Sequence, residues 1–575
     1  MLLILLLSTP MSMAQTHITS GKIVATLTPE GGLTEVKLNG QTVFTGTSTQ
    51  MVGSLFTLLR NTPTREWNWP ANRITPHYAS SVGKLITHFG TRSKHSVNVL
   101  ITQPDRYVIQ HQYDNGIIAT FDHQLTGPDL KIRITVANTT PDSFQLDDWL
   151  MFFFKCQQPA KTTQRMGNYY PSGDNYSPVS TISDRNWGVG INWVEHDLRP
   201  VQIRLNPMNQ PNQWQLDTWQ KNSPIPSGGS RSYTVVLRID DTPGNWKHLL
   251  EPYRRWFNDY FGPVQYSMDF RIKVGVFCAA VENVNPGNPM GYYGKLDRLG
   301  WLPYLNEHVG HLRKYNTGQI LIWAATGINA RGVNYRPDFD VMPPILEEGL
   351  AQLPAFFQSL GNKQFGFFAR PNTIAYQQTN AKDSDVSFNP LDPMHLKMTD
   401  RRYQHLLKAG ATAFYLDTYG ADWGCFPDSA KGSVFYLKHL RELAGPDALL
   451  VTEFGFDAYH VYASIWPNMH DKSGHIPYGE YARWLVPGSV DFCRIFDMAR
   501  AQRVWEEGAV PMVSDYMVNY ELMQLQAKYV NADGSSRVRQ DCRPYAKQSS
   551  IMPALLPQKN TEPVKPTDSV DSLFK

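Results

Sequence analysis

Two carboxylates at the ends of apolar runs are the residues best suited to chemistry in this chain. The run Ala411-Thr412-Ala413-Phe414-Tyr415-Leu416 is rich in strand formers and passes directly into Asp417-Thr418-Tyr419-Gly420. The run from Ala448 to Thr452 passes in the same way into Glu453. A buried strand that stops on a carboxylate carries that group to the rim of a sheet, and in parallel α/β architectures the carboxyl ends of strands are where sites are built. Asp is also a common capping and turn residue, so Asp417 taken alone supports a cap as well as a site. On consecutive strands of a barrel, Asp417 and Glu453 would face one another across the mouth and could divide the cleavage of a glycosidic bond. One attacks the anomeric carbon while the other, kept protonated, gives its proton to the leaving oxygen. A gap of ~5–5.5 Å implies retention of configuration and ~6.5–9.5 Å inversion. Asp457, Asp497 and Asp515 are rival candidates for the acid.

The other strand ends bring polar and aromatic groups to the same rim. Trp323, Trp423, Trp466 and Tyr419 are candidates to stack on or shape a sugar, and Arg370, Asp457 and Asp515 to bind its hydroxyls. Packing alone asks for smaller residues at strand ends, although salt-bridged spectators account for some of these positions. Other chemistries lack their residues. The first strand ends Phe277-Cys278-Ala279-Ala280 with no His-x-His to hold a metal, and no Gly-x-Ser-x-Gly elbow occurs. No dinucleotide fingerprint or Walker loop follows any strand, so neither a metal nor a cofactor is expected. A formal net charge of +3 with no long run of one sign argues against nucleic acid as a partner. The 15 Trp and 28 Tyr suit carbohydrate faces, and large β-rich cores use such residues too.

These residues need elements to carry them. Residues 15–240 read as an antiparallel β-sandwich of the supersandwich kind. Lys22 to Thr28 alternates with period two, and Asn39-Gly40 between two apolar runs is a hairpin signal. Trp67-Asn68-Trp69 is either a sugar platform or a buried aromatic corner. Residues 241–264 read as a joining helix, with Leu249, Leu250, Tyr253, Trp256 and Phe257 on one side. In 265–555, strands at 273–280, 319–325, 365–369, 412–417, 448–453, 490–496 and 509–514 alternate with helices. Continuous apolar strands with helices between them mark a parallel sheet covered on both faces, here a (β/α)8 TIM-type barrel. Only seven strands read clearly, and no eighth is evident after Tyr516.

Residues 1–14 read as a signal peptide, with the apolar run Leu2 to Leu7 followed by Ser12-Met13-Ala14, so a secreted or periplasmic protein is expected. No later run approaches the ~18 apolar residues of a membrane span. The 556–575 segment, rich in Pro, Lys and Asp, reads as a disordered tail. Five widely spaced cysteines form no Cys-x-x-Cys pair and leave at least one thiol unpaired in a monomer.

A β-sandwich, a joining helix and a barrel whose fourth strand ends Tyr415-Leu416-Asp417-Thr418-Tyr419-Gly420 resemble the retaining α-glycosidases of the α-galactosidase and endo-α-N-acetylgalactosaminidase type. The segment Asn389-Pro390-Leu391-Asp392-Pro393 is similar to theirs as well. The resemblance implies a hydrolase of α-linked oligosaccharide or polysaccharide, with Asp417 as nucleophile and Glu453 as acid/base. A catalytically silent carbohydrate-binding protein on the same scaffold is the alternative reading. A further barrel hydrolase or isomerase would be marked by bound metal.

Overall fold

The computed structural model describes residues 15–539, apart from 30, 46–53, 60–84, 88–94, 114–115, 142–143, 156–174, 177, 196–197, 199–200, 208–212, 278–298, 324–343, 362–363, 370–372, 376–384, 388, 417–418, 420–428, 454, 466–477 and 496. The expected signal peptide, the tail and the Trp67-Asn68-Trp69 cluster lie outside the described residues.

The first part of the chain is two antiparallel sheets. Among the described residues, one has nine strands. The other has seven, in the order Val179–Ser183, Gly188–Val194, Ser230–Asp240, Asp129–Asn138, Ile117–Thr126, Arg106–Tyr113, His95–Gln103. Burial alternates residue by residue along Ile117–Thr126 and Asp129–Asn138, as expected where one face meets the core and the other meets water. At the expected hairpin, Leu38 pairs with Gln41. Asn39 and Gly40 both take positive φ, 52° and 78°, the backbone that a tight two-residue turn requires.

Gly188–Val194 breaks the alternation, because all seven of its residues are buried. Its outer face is covered by the segment joining the two halves of the chain. That segment is two helices, Trp246–Leu249 and Glu251–Phe261, not the single helix its spacing suggests. Pro252 explains the break: it fits the first turn of a new helix but cannot continue an old one. Leu249, Leu250, Tyr253 and Phe257 are buried, with Trp256 packed against the core at its edge. Asn192 Nδ2 donates to the Leu249 carbonyl at 3.1 Å. A side chain at Gly190 would meet that same carbonyl oxygen at 2.0 Å, so the helix rests directly on the strand's backbone.

The second part is the barrel. Its strands are Lys273–Phe277, Ile320–Trp323, Phe365–Ala369, Ala411–Leu416, Leu449–Thr452, Ser464–Ile465, Phe492–Arg494 and Val510–Ser514, here strands one to eight. All neighbouring pairs are parallel, and strand eight pairs with strand one. A parallel bridge between Ile465 and Asp491 links strand six to the residue before strand seven and closes the ring. The eighth strand is thus present, but not after Tyr516. The strand that the sequence does not announce is strand six, whose two residues follow directly on the short helix Tyr459–Tyr462 and show no periodicity.

The amino-terminal ends of the strands hold a cluster of buried charge. Burial alone pushes the Asp269 carboxyl up, but Lys273 and Arg271 outweigh it and hold it well below its ordinary value. Lys273, 3.1 Å from Asp269, is itself lowered to about 8 by burial. Asp491 is pushed up to about 6 by burial, against the pull of Arg483 and Arg539, and burial lowers its neighbour His460 to about 3. Cys493, the one cysteine among the described residues, is buried and unpaired, and burial pushes its thiol up to about 11.

Substitutions test both the joining helix and the buried charge. Gly190→Ala forces the joining helix off its strand and lowers unfolding stability by about 1–3 kcal/mol. Gly310→Ala, whose nearest neighbour is the Leu305 carbonyl oxygen at 3.9 Å, leaves stability unchanged in the same thermal and urea melts. For Asp491 the folded value lies above the ordinary one, so the folded chain holds the proton more tightly than the unfolded chain. Its contribution is complete below about pH 4 and is lost as pH rises through about 6. Asp491→Asn keeps the neutral shape at every pH. The variant therefore gains on the wild type by roughly 2–3 kcal/mol between pH 4 and pH 7 in urea unfolding, and a pH-independent difference would refute the assignment.

Candidate active site at the carboxyl end of the barrel

Because the strands are parallel, their carboxyl ends share one rim. Strands four and five are neighbours in the sheet, with Tyr415 opposite Val451 and Leu416 opposite Thr452. The Glu453 N–H donates to the Leu416 carbonyl at 3.2 Å, a ladder bond of that last pair. Glu453 is half-buried at the rim. The two strand ends therefore lie side by side, not across the mouth from one another.

What lies beneath them is tightly packed. Phe414 meets Tyr403 of the helix Pro393–Lys408 edge-on at 5.1 Å, so it faces outward from the barrel. By strand alternation Tyr415 faces inward, where its ring lies 4.5 Å from that of Phe368 on strand three. Gly366 lets strand three approach, since a side chain there would overlap the Ala413 carbonyl.

The expected site residues fall into three groups. Asp417, Trp423, Arg370 and Trp466 lie outside the described residues. Trp323 ends strand two, its backbone opposite Phe277. Glu453, Tyr419, Asp457 and Asp515 are described, and only Glu453 and Asp515 sit directly at strand ends.

Tyr419 is a candidate to stack on or shape a sugar, and its surroundings bear on which. It is fully buried, its hydroxyl donates to the Ser433 carbonyl, and its ring lies 5.1 Å from Tyr459 and 6.3 Å from Tyr436. Burial, with the neighbouring tyrosines, raises its pKa well above the ordinary value. A ring with no exposed face can support the rim but offers nothing to stack on. Asp457 is also buried, at 1% exposure, and its Oδ2 accepts from the hydroxyls of Tyr253 and Tyr481, both at 2.9 Å. Asp515 follows strand eight directly and is largely buried. Its carbonyl accepts from His311 Nε2 at 2.9 Å, which makes His311 a packed residue on the barrel wall.

Two other acids have local structural tasks. Asp497 caps the helix Met498–Glu506 by accepting from the Arg500 N–H at 2.8 Å. Asp392, in the Asn-Pro-Leu-Asp-Pro segment, caps Pro393–Lys408 through the Met394 N–H. Arg494, at the end of strand seven, is a half-buried rim cation that the strand-end pattern of the sequence does not single out. It stands inside an expected strand, and its position at the carboxyl end becomes visible only once strand seven is seen to stop there. Among the described residues no group of His, Cys, Asp and Glu could hold a metal ion, and no helix is long and apolar enough to cross a membrane.

No family model matches the sequence, and no curated protein matches it. The fold does have counterparts among solved structures. Two structures of an α-N-acetylgalactosaminidase from Bifidobacterium bifidum match it at probability 1.00. One, a quadruple mutant, has a TM-score of 0.58 at 11% identity, covering 91% of this chain and 94% of that one. The other, a GalNAc complex, has a TM-score of 0.57 at 10% identity, covering 89% and 92%. An α-galactosidase from Geobacillus stearothermophilus matches with a TM-score of 0.47 at 10% identity, covering 90% and 86%. At these identities what is shared is the fold, and in fold this chain resembles the N-acetylgalactosaminidase over nearly its whole length.

Proposed function

We propose that this protein is a glycoside hydrolase that cleaves α-linked sugars with retention of configuration, Asp417 serving as nucleophile and Glu453 as acid/base. The observation that supports the reading is the register of strands four and five, whose last pair sets Leu416 opposite Thr452. The Glu453 N–H bonds the carbonyl of Leu416, and the next residue of the sequence after Leu416 is Asp417. Adjacent strands lie ~4.7–4.9 Å apart. Carboxyl groups carried at about that spacing suit the ~5–5.5 Å of a retaining pair better than the ~6.5–9.5 Å that an inverting pair needs for its water. In this reading Asp417 attacks the anomeric carbon as Glu453 protonates the departing oxygen. Glu453 then takes a proton from the water that releases the sugar. The first substrates to try are α-linked N-acetylgalactosamine and galactose, because the solved structure of the same fold is a GalNAc complex.

The test is a panel of nitrophenyl α-glycosides together with mucin and plant oligosaccharides. Asp417→Asn is expected to abolish turnover of whichever substrate the wild type cleaves, and a fluoroglycosyl trap should label Asp417. Glu453→Gln should lower kcat by about 10²–10⁴-fold, the usual worth of a positioned acid/base. Full activity in both variants on every cleaved glycoside would overturn the proposal.

A further inference from the structure

The loop that follows Glu453 is fastened at three points to three different parts of the protein. Two residues after Glu453, Gly455 and Phe456 pair in parallel with Asn175 and Tyr176, a two-residue strand contributed by the sandwich portion of the chain. Next, the buried Asp457 accepts from the hydroxyls of Tyr253 and Tyr481 on a single oxygen. Tyr253 belongs to the joining helix and Tyr481 to the helix Tyr478–Leu485 ahead of strand seven. Finally, the Tyr459 hydroxyl lies 2.6 Å from Ser433 Oγ on the helix between strands four and five.

Both hydroxyls on Asp457 are aimed by an aromatic junction. Tyr253 packs on Trp256 and Phe257, with ring centroids 5.6 and 5.8 Å away. Tyr481 lies 6.0 Å from Trp484, whose ring also meets Trp246 of the joining segment at 5.1 Å. Arg254 of the joining helix donates to the Trp484 carbonyl at 2.8 Å and lies 5.4 Å from its ring.

We propose that Asp457 is a positioning residue: held by Tyr253 and Tyr481, it ties the loop carrying Glu453 to the interdomain junction, so that the sandwich and the joining helix set where the acid/base stands. The inference rests on the reading of Glu453 as acid/base. A side chain this buried, with two hydroxyls on one oxygen, is built to hold its own loop and not to meet a sugar. Proton delivery depends on placement, and a 1 Å displacement of a reacting group can cost on the order of 10²-fold in rate. Loosening the tether should therefore weaken acid catalysis selectively.

The experiment compares wild type, Glu453→Gln, Tyr253→Phe, Tyr481→Phe and the double tyrosine variant. Each Tyr→Phe change removes one hydroxyl and keeps the ring, so folding should survive. The readout is kcat/KM, which reports glycosylation alone, on glycosides with good (dinitrophenyl) and poor (sugar or alkyl) leaving groups. A misplaced acid hurts the poor leaving groups, which need the proton, far more than the good ones. The double variant should lose about 10–100-fold on poor leaving groups and less than about threefold on dinitrophenyl glycosides. Glu453→Gln should show the same split, but larger. Equal losses across leaving groups, or none, would overturn the tether while leaving Glu453 as acid/base. If Glu453→Gln itself shows no split, the proposed function fails instead. A second readout needs no turnover: amide hydrogen exchange across residues 453–457 should quicken locally in the tyrosine variants, and unchanged protection there also overturns the inference.

Discussion

The register between barrel strands four and five is the constraint on which the site depends. Tyr415 opposite Val451 and Leu416 opposite Thr452 leave no freedom in where the chain emerges at the rim. A slip of one residue would turn every side chain of a strand to the other face, and here both faces are full. Phe414 is committed to Tyr403 outside, and Tyr415 to Phe368 inside. Gly366 adds a steric lock, because strand three comes so close at Ala413 that only a glycine fits. Packing of this density is intolerant of volume change. It fixes the base of the two strand-end loops before any loop interaction is counted.

The two ends of the barrel use ionisable groups in opposite ways. At the amino-terminal end, the half-buried Asp269 and the buried Lys273, Asp491 and His460 are shifted from their ordinary values, and their partners come from the same end of the barrel: Arg271, Arg483 and Arg539. Shifts of this kind also occur at active sites, so the shifts alone would mislead. Position separates the cases. In a barrel the amino-terminal face serves stability and the carboxyl-terminal face serves chemistry. Glu453, half-buried at the carboxyl end, has what a reactive group needs and Asp491 lacks: a route to solvent.

Much of the fold was legible because it follows from periodicity. Ile117–Thr126 alternates and Leu449–Thr452 does not, and that contrast in the residues alone separates a half-exposed strand from a doubly covered one. Strand six was not legible, since two residues carry no period. The break at Leu250 was readable in principle from Pro252, but a run of apolar residues at helical spacing hides a one-residue interruption. The site was legible only in outline. A polar or aromatic residue just past a strand marks the rim, but the sequence does not say whether the following loop points it to the mouth or folds it under. Tyr419 and Asp457 both fold under, and each is drawn there by hydrogen-bond partners on other elements: Ser433 for Tyr419, Tyr481 and the remote Tyr253 for Asp457.

Those partners bear on why the sandwich is attached at all. A barrel closed by eight paired strands does not need a second module to satisfy its backbone, and no acid/base pair is evident in the sandwich sequence. Among the described residues, two of the links to the barrel meet in one place. The joining helix lies on Gly188–Val194 on one side and presents Tyr253 to Asp457 on the other, while Asn175–Tyr176 reaches to the loop just past Glu453. One link from the sandwich and one from the joining helix thus converge on the short stretch between Gly455 and Asp457, next to one rim carboxylate. An arrangement evolved only to bury surface would have no reason to end there. Loops are the least constrained parts of a barrel, and the role proposed for Glu453 calls for a loop held by more than the barrel's own hydrogen bonds. Strand five ends at Thr452, so the ladder can hold the Glu453 backbone but not the chain beyond it, and the sandwich and the joining helix supply that restraint.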